Sequence, residues 1–120
     1  MERTKRGVRV VPGRDSPQIF ILLTSLTDEG AKTLKANPER VQQVNEELET
    51  LGVHVTGQWA VLGPYDFVSV VEAPDNVTMA RVSAELASRG SIRVMTLPAT
   101  PIAEFVAAFQ AANAQGQPRP

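Results

Sequence analysis

The sequence predicts an α+β fold with a four-stranded sheet, two main helices and an added C-terminal helix. Segments with helical spacing of apolar residues alternate with strand-like segments, and Gly or Pro stands at most junctions. The length of 120 residues corresponds to one domain. A hydrophobic content of 42% with 21% charged residues is typical of a globular domain with a buried core.

The first half of the chain predicts a strand followed by an interrupted helix. Residues 18–25 are a continuous apolar run, typical of a strand buried on both faces. Thr27 precedes two acidic residues and predicts a helix N-cap, while Pro38 predicts a stop and restart. The second helical piece has an apolar stripe formed by Val41, Val44, Leu48 and Leu51. Gly52 then predicts the C-cap.

The next segment changes to a period of two, which predicts a strand from Val53. One side of this strand carries Val53, Val55, Trp59 and Val61, and the other carries His54, Thr56 and Gln58. Gly63 and Pro64 form a turn, so the strand at 66–72 is expected to return antiparallel as a hairpin.

The last third predicts a helix, a strand and a final helix. Asp75 opens the helix, which ends at Gly90. Its expected inward residues are Val77, Val82 and Leu86. Residues 92–97 form the fourth strand, and the helix after Pro101 places Ile102, Phe105, Val106 and Phe109 on one face.

This order of elements predicts a ferredoxin-like βαββαβ fold with an extra C-terminal helix. Both main helices then cover one face of the sheet and leave the other bare. Expected apolar residues on the bare face are Phe20, Leu22, Val68 and Val70. Because a bare apolar face needs a cover, we expect a homodimer or higher homo-oligomer, closing face to face as a dimeric α/β barrel.

Composition excludes several classes of function. A net charge of −1 gives no overall attraction to nucleic acid or to a membrane surface, and no apolar run reaches the length of a membrane span. Without cysteine there is no thiolate nucleophile or thiolate metal site, and a lone histidine makes no zinc site. We therefore expect no metal and no cofactor, and a cytoplasmic location.

The chain ends differ in composition from the centre. Residues 1–16 hold five basic and two acidic side chains and form a predicted basic arm, either solvated or docking on an acidic partner. Residues 17–113 form the predicted domain, and residues 114–120 a flexible tail.

Candidate site residues follow from the alternation in the second strand. His54, Thr56 and Gln58 are expected on the sheet face that a dimer encloses, and Arg93 of the fourth strand shares that face. A polar set there indicates a small-molecule pocket, with His54 as the candidate catalytic acid or base. The alternative is that these residues bridge subunits or lie near solvent. Trp59 and Tyr65 are candidate pocket walls.

The turn around Gly63 carries a family resemblance. Leu62-Gly63-Pro64-Tyr65-Asp66, followed by an apolar strand and Glu72-Ala73-Pro74-Asp75, resembles the GYD-domain family. The resemblance implies the dimeric α/β-barrel fold and says little about activity. Asp66 is either a ligand-binding residue, by analogy with fold relatives, or a residue that holds the turn through backbone amides.

Three functions remain open at this point. The first is a binding or sensing module for a small organic ligand, using the site residues named above. The second is a cofactor-free enzyme, an isomerase or monooxygenase, with His54 as general base. The third is a structural oligomer without a ligand.

Overall fold

The computed structural model describes residues 16–115 and confirms the α+β architecture. The elements in chain order are β1 (Gln18–Leu26), α1 (Asp28–Ala36), α2 (Arg40–Thr50), β2 (His54–Ala60), β3 (Phe67–Ala73), α3 (Asn76–Ala87), β4 (Ile92–Ala99) and α4 (Ile102–Ala114). The predicted break at Pro38 separates α1 from α2. The predicted basic arm up to residue 15 and the tail from residue 116 lie outside the described residues.

The four strands form one antiparallel sheet in the order β2-β3-β1-β4. β1 is central and pairs with both β3 and β4, with Leu23 opposite Val68 on one side and Met95 on the other. The βαββαβ order with crossing connections is compatible with the ferredoxin-like fold that the sequence predicts.

The core lies between the sheet and the helices. Its buried members are Phe20, Leu22, Leu48, Val53, Val71, Ala73, Met79, Val82 and Leu86. Phe20 and Leu22 therefore point towards the helices, which corrects the expectation that they lie on the bare face. In α3, Val77 is 78% exposed, so its predicted inward position is wrong, and Met79 is buried instead. Val77 lies in the first turn of α3, just after the N-capping Asp75, on the side that faces solvent.

A β-bulge in β2 changes which side chains face the helices. The register of β2 against β3 shifts between Val55 and Gly57. One extra residue reverses the alternation beyond it, because the period of a strand is two. Gln58 consequently faces the helices, and Trp59 faces away from them with 56% of its surface exposed. Both orientations are opposite to those predicted from uninterrupted alternation.

The C-terminal helix α4 forms as predicted but has no buried residue. Its large apolar side chains Ile102, Phe105, Val106 and Phe109 are all exposed. The rings of Phe105 and Phe109 meet edge to face, with centroids 5.2 Å apart. The apolar face of α4 is thus left without a partner within residues 16–115. Among the helices in that range, none has the length and apolarity needed to cross a membrane.

Candidate functional site

Two apolar rows cross the sheet on the side away from α2 and α3. From the strand registers, one row is Trp59, Val68, Leu23 and Met95, and the next is Gly57, Val70, Ile21 and Leu97. We call these eight residues the open face. It spans all four strands, about 14 Å at the usual strand spacing. The indole of Trp59 folds back over Gly57, where a Cβ atom would lie only 2.8 Å from the ring. The open face is therefore a broad apolar surface with an aromatic side chain at one edge.

The open face does not gather the predicted polar site residues into one place. His54 lies level with Ile19 of β1, and Arg93 lies opposite Ser25. β2 and β4 are the two edge strands, three strand spacings or about 14 Å apart. Ile19 and Ser25 are separated by about 20 Å along the strand. His54 and Arg93 thus occupy opposite corners of the sheet, too far apart to contact one small ligand within one chain.

His54 is 59% exposed and contacts the carboxylate of Glu49 at the end of α2. That hydrogen bond raises the pKa of His54 above its ordinary value of 6.5, with smaller contributions from the charges of Glu49 and Glu72. An exposed imidazole engaged with a carboxylate offers no enclosed position for a substrate. The single chain therefore gives His54 no pocket in which to act as a general base.

The pKa of His54 gives a direct test of this placement. We expect its imidazole to titrate above 6.5 in the folded protein and to shift down when Glu49 is replaced by Gln. Because the folded pKa is the higher one, the stability from this pair is fully present below the unfolded pKa and is lost as pH rises through the folded pKa. His54 is the only histidine, so one NMR resonance reports the titration. An unchanged pKa in the Glu49→Gln variant would contradict the contact.

The remaining predicted residues have mainly structural contacts. Thr56 donates its hydroxyl to the carbonyl oxygen of Val70 at 3.1 Å. The hydroxyl of Tyr65 lies 3.9 Å from the sulfur of Met95, at the edge of the open face. Asp66 accepts a hydrogen bond on Oδ2 from the backbone amide of Leu26 at 2.8 Å.

A cavity of about 140 Å³ lies on the other side of the sheet, beneath α1 and α2. Gln58 lies in its wall and exchanges hydrogen bonds with Asn45 of α2, accepting at 2.8 Å and donating at 3.4 Å. Gln58 also donates to the hydroxyl of Ser69 at 3.0 Å. Buried Thr24 lines the same space. We call this space the helix-side cavity.

Two arginines border the helix-side cavity. Arg89 makes two hydrogen bonds to the carboxylate of Glu47, at 2.8 and 2.5 Å, and lies 3.5 Å from the carboxylate of Glu85. The bond to Arg89 lowers the pKa of Glu47, and the charge of Arg40 adds to this effect. The guanidinium of Arg40 donates one hydrogen bond among the described residues, to the side-chain amide oxygen of Gln43 at 3.5 Å. One cation at the rim is therefore paired with carboxylates and the other is not.

Sequence reasoning missed the helix-side cavity. Thr24 and Ser69 are small hydroxyl residues within apolar strand runs, and both are buried in the structure. Asn45 lies one residue after Val44 of the apolar stripe. Those polar side chains at core positions were the available signal. Within residues 16–115 no group of three or more His, Asp or Glu side chains is placed to hold a metal ion.

Comparison with known proteins identifies the family. The profile of the GYD domain family matches residues 20–109. The chain belongs to the GYD domain family. It is also 60% identical over 89 residues to a Thermus thermophilus protein named "Glutamine synthetase and cystathionine beta-lyase binding protein". That alignment covers 73% of this chain and 94% of the relative. No solved structure matches.

The family assignment confirms the resemblance seen around Gly63. In this GYD domain the residues of that turn connect β2 to β3 and also reach the end of β1. The backbone amide of Asp66 donates to the carbonyl oxygen of Thr24 at 2.8 Å. The hydroxyl of Ser25 donates to the carbonyl oxygen of Pro64 at 3.3 Å. The side chain of Asp66 adds the hydrogen bond that it accepts from the Leu26 amide, and that bond supports the second alternative for Asp66, a residue that holds the turn.

Proposed function

We propose that this GYD domain is a protein-binding module that docks on metabolic enzymes. The observation that carries the proposal is the 60% identity to a relative whose name states that it binds glutamine synthetase and cystathionine beta-lyase. The alignment spans nearly the whole relative, which supports a corresponding binding surface in this chain. We place this binding in the cytoplasm. Disulfides are rare there, and a chain without cysteine does not depend on them for stability.

The surface that we assign to enzyme binding is the apolar side of α4. Its aromatic pair, Phe105 and Phe109, is exposed, and the helix contains Glu104 as its sole charged residue. A helix this apolar is normally covered by another surface. Exposed aromatic side chains also contribute much of the binding energy in protein interfaces. These properties support α4 as a docking element.

A second copy of the chain is the cover that we propose for the open face. Leu97 and Met95 at one edge and Trp59 at the other are exposed in the single chain. The apolar rows cross all four strands, and a two-fold axis would bring the same surface of another copy against them. Both proposals assign a partner to an apolar surface that a lone chain would leave in water.

A surface-binding assay with purified enzymes tests the proposal. We expect the wild-type protein to bind glutamine synthetase or cystathionine beta-lyase from the same organism. The Phe105→Ser, Phe109→Ser double variant should bind at least about tenfold more weakly, because the aromatic anchors are lost. Val77→Ser is the matched control, since Val77 is also an exposed apolar helix residue but lies on α3. Its affinity should not change.

The same preparations report the oligomeric state. Light scattering should give a mass of at least two chains for the wild type and for the α4 variant. Failure of both enzymes to bind the wild-type protein would contradict the proposed enzyme binding, and equal binding by the double variant would contradict the assignment of α4. A monomeric wild-type protein would contradict the pairing of open faces.

A small-molecule role is a second proposal, and one observation favours it. The helix-side cavity is large enough for a molecule of about the size of benzene and combines a largely apolar lining with buried polar groups. Such a combination is typical of sites that bind small organic molecules.

A further inference from the structure

We infer that the helix-side cavity binds a small organic carboxylate that carries a hydrogen-bond acceptor at its other end. This inference rests on the proposed small-molecule role and not on enzyme docking. A cavity of about 140 Å³ is close to the engineered cavity of about 150 Å³ that holds benzene. A ligand of about eight non-hydrogen atoms, reaching from the interior to the rim, suits this size.

Thr24 provides the first recognition element. Its side chain is 8% exposed and lines the cavity from the central strand β1. Its hydroxyl has no hydrogen-bond partner among residues 16–115. Other polar side chains of the cavity do have partners, because Gln58 is hydrogen-bonded to both Asn45 and Ser69. A buried hydroxyl without a hydrogen-bond partner lowers the stability of the fold. A carbonyl or ether oxygen on a ligand could accept the hydrogen bond that the Thr24 hydroxyl lacks.

Arg40 provides the second recognition element. It begins α2 and lines the cavity, and it has no carboxylate partner within ion-pair distance in the described part of the chain. Arg89, on the same rim, is held by Glu47 and Glu85. No acidic side chain lines the cavity among the described residues. A guanidinium that lacks an ion-pair partner in such surroundings pairs best with a carboxylate.

Apart from polar groups such as Asn45, Gln58 and Ser69, most of the lining is apolar. The apolar side chains are those of Leu22, Leu26, Leu34, Val41, Val44, Phe67, Leu86 and Ile92. A short aliphatic chain would displace water from these side chains without leaving polar atoms unpaired. The three parts together specify an acceptor at Thr24, an aliphatic middle and a carboxylate at Arg40.

Three related probes separate these contributions. Levulinate has a carboxylate, a short chain and a ketone oxygen. Pentanoate lacks the ketone, and 2-pentanone lacks the carboxylate. Methyl and amide NMR spectra of the full chain, recorded with each probe up to about 20 mM, cover the weak affinities expected of molecules this small. We expect levulinate to shift signals of Leu22, Val44 and Ile92.

Two variants test the assigned contacts. Thr24→Val keeps the shape and removes the hydroxyl, so it should fold and bind levulinate about tenfold more weakly, with pentanoate unaffected. Arg40→Gln should weaken both carboxylates and leave 2-pentanone unchanged. Matched controls are Thr56→Val on the exposed part of β2 and Arg81→Gln on the exposed side of α3. Neither should alter any of the three affinities.

The outcomes distinguish this site from the functions proposed above. Equal binding of levulinate by Thr24→Val and the wild type would overturn the assignment of Thr24. Shifts confined to open-face residues such as Met95 and Leu97 would overturn the cavity site but keep a small-molecule role. An absence of shifts with all three probes would overturn both, and the cavity would then hold solvent only. Enzyme binding, measured separately, is not affected by any of these results.

Discussion

Replacing Gly30 with Ala is expected to destabilise the domain by about 3 kcal/mol or more, the upper end of what overpacking costs. A Cβ atom at this position would lie 2.0 Å from the carbonyl oxygen of Ser91 and 2.9 Å from its carbonyl carbon. Both are backbone atoms, which cannot rotate away as a side chain would. The adjacent backbone is also fixed, because the amide of Thr27 donates to the same carbonyl oxygen at 3.0 Å. Equilibrium unfolding in urea measures the effect.

Ala31→Gly is the matched control, since Ala31 is the next residue of α1 and is exposed. In an exposed helix position the exchange of Ala for Gly costs up to about 1 kcal/mol through helix propensity alone. Propensity would therefore make the Gly30→Ala protein more stable, whereas steric overlap makes it less stable. A Gly30→Ala protein as stable as the wild type would show that α1 does not approach Ser91 this closely.

Replacing Asp66 with Ala is expected to cost about 2 kcal/mol, within the range for hydrogen bonds to charged groups. The carboxylate accepts from the amide of Leu26, at the last residue of β1. Alanine removes the acceptor and leaves that partly buried amide unpaired. The other two hydrogen bonds of Asp66, to Thr24 and Val61, use its backbone and survive the change. Thermal unfolding followed by circular dichroism measures the difference.

Asp66→Asn separates the hydrogen bond from other effects of the substitution. The amide oxygen of Asn can still accept from Leu26, so most of the stability should return. An Asp66→Ala protein within about 0.5 kcal/mol of the wild type would show that the carboxylate contributes little to the turn. A loss of stability in Asp66→Ala that Asp66→Asn largely restores would show that the Asp66 side chain joins the β2–β3 hairpin to the end of β1.

Local patterns were sufficient to predict the order of the elements. The apolar run at 18–25, the N-capping Thr27 and Asp75, and the interruption at Pro38 each act through neighbouring residues. The side chains of Thr27 and Asp75 accept hydrogen bonds from Gly30 and Thr78 as their cap positions require. These features are local, so they can be recognised without knowing the sheet order.

The orientation of side chains in β2 could not be predicted in the same way. Gly57 is compatible with an ordinary strand or a bulge, and the hydrophobic pattern of the strand is satisfied in either case. Only the pairing with β3 shows that Gln58 faces the helices. The predicted pocket on the other face depended on uninterrupted alternation. The bulge removes Gln58 from that face. His54 and Arg93 were separated by the strand order, which local sequence does not specify.

The only sign of the helix-side cavity in the sequence was the presence of small polar residues within apolar strand runs, which does not by itself indicate a cavity. A threonine in an apolar strand usually finds a hydrogen-bond partner, and the sequence contains no sign that Thr24 lacks one. Its isolation becomes evident only when α1, α2 and the sheet are placed together. Asn45 and Gln58 are separated by 13 residues, and their mutual hydrogen bonds likewise depend on the packing of α2 over β2.

The bulge at residues 55–57 determines which face of the sheet each later side chain of β2 points to. A relative lacking one residue there would have almost the same sequence. In the second half of the strand, however, the side chains that face the helices here would face away from them, and the reverse. Its indole would then enter the space under α2, and its amide would lie on the outside. A GYD domain could thus lose or gain the polar wall of an internal cavity through a one-residue deletion or insertion, with no substitution at all. Strand length is therefore as informative as residue identity when the sites of such domains are compared.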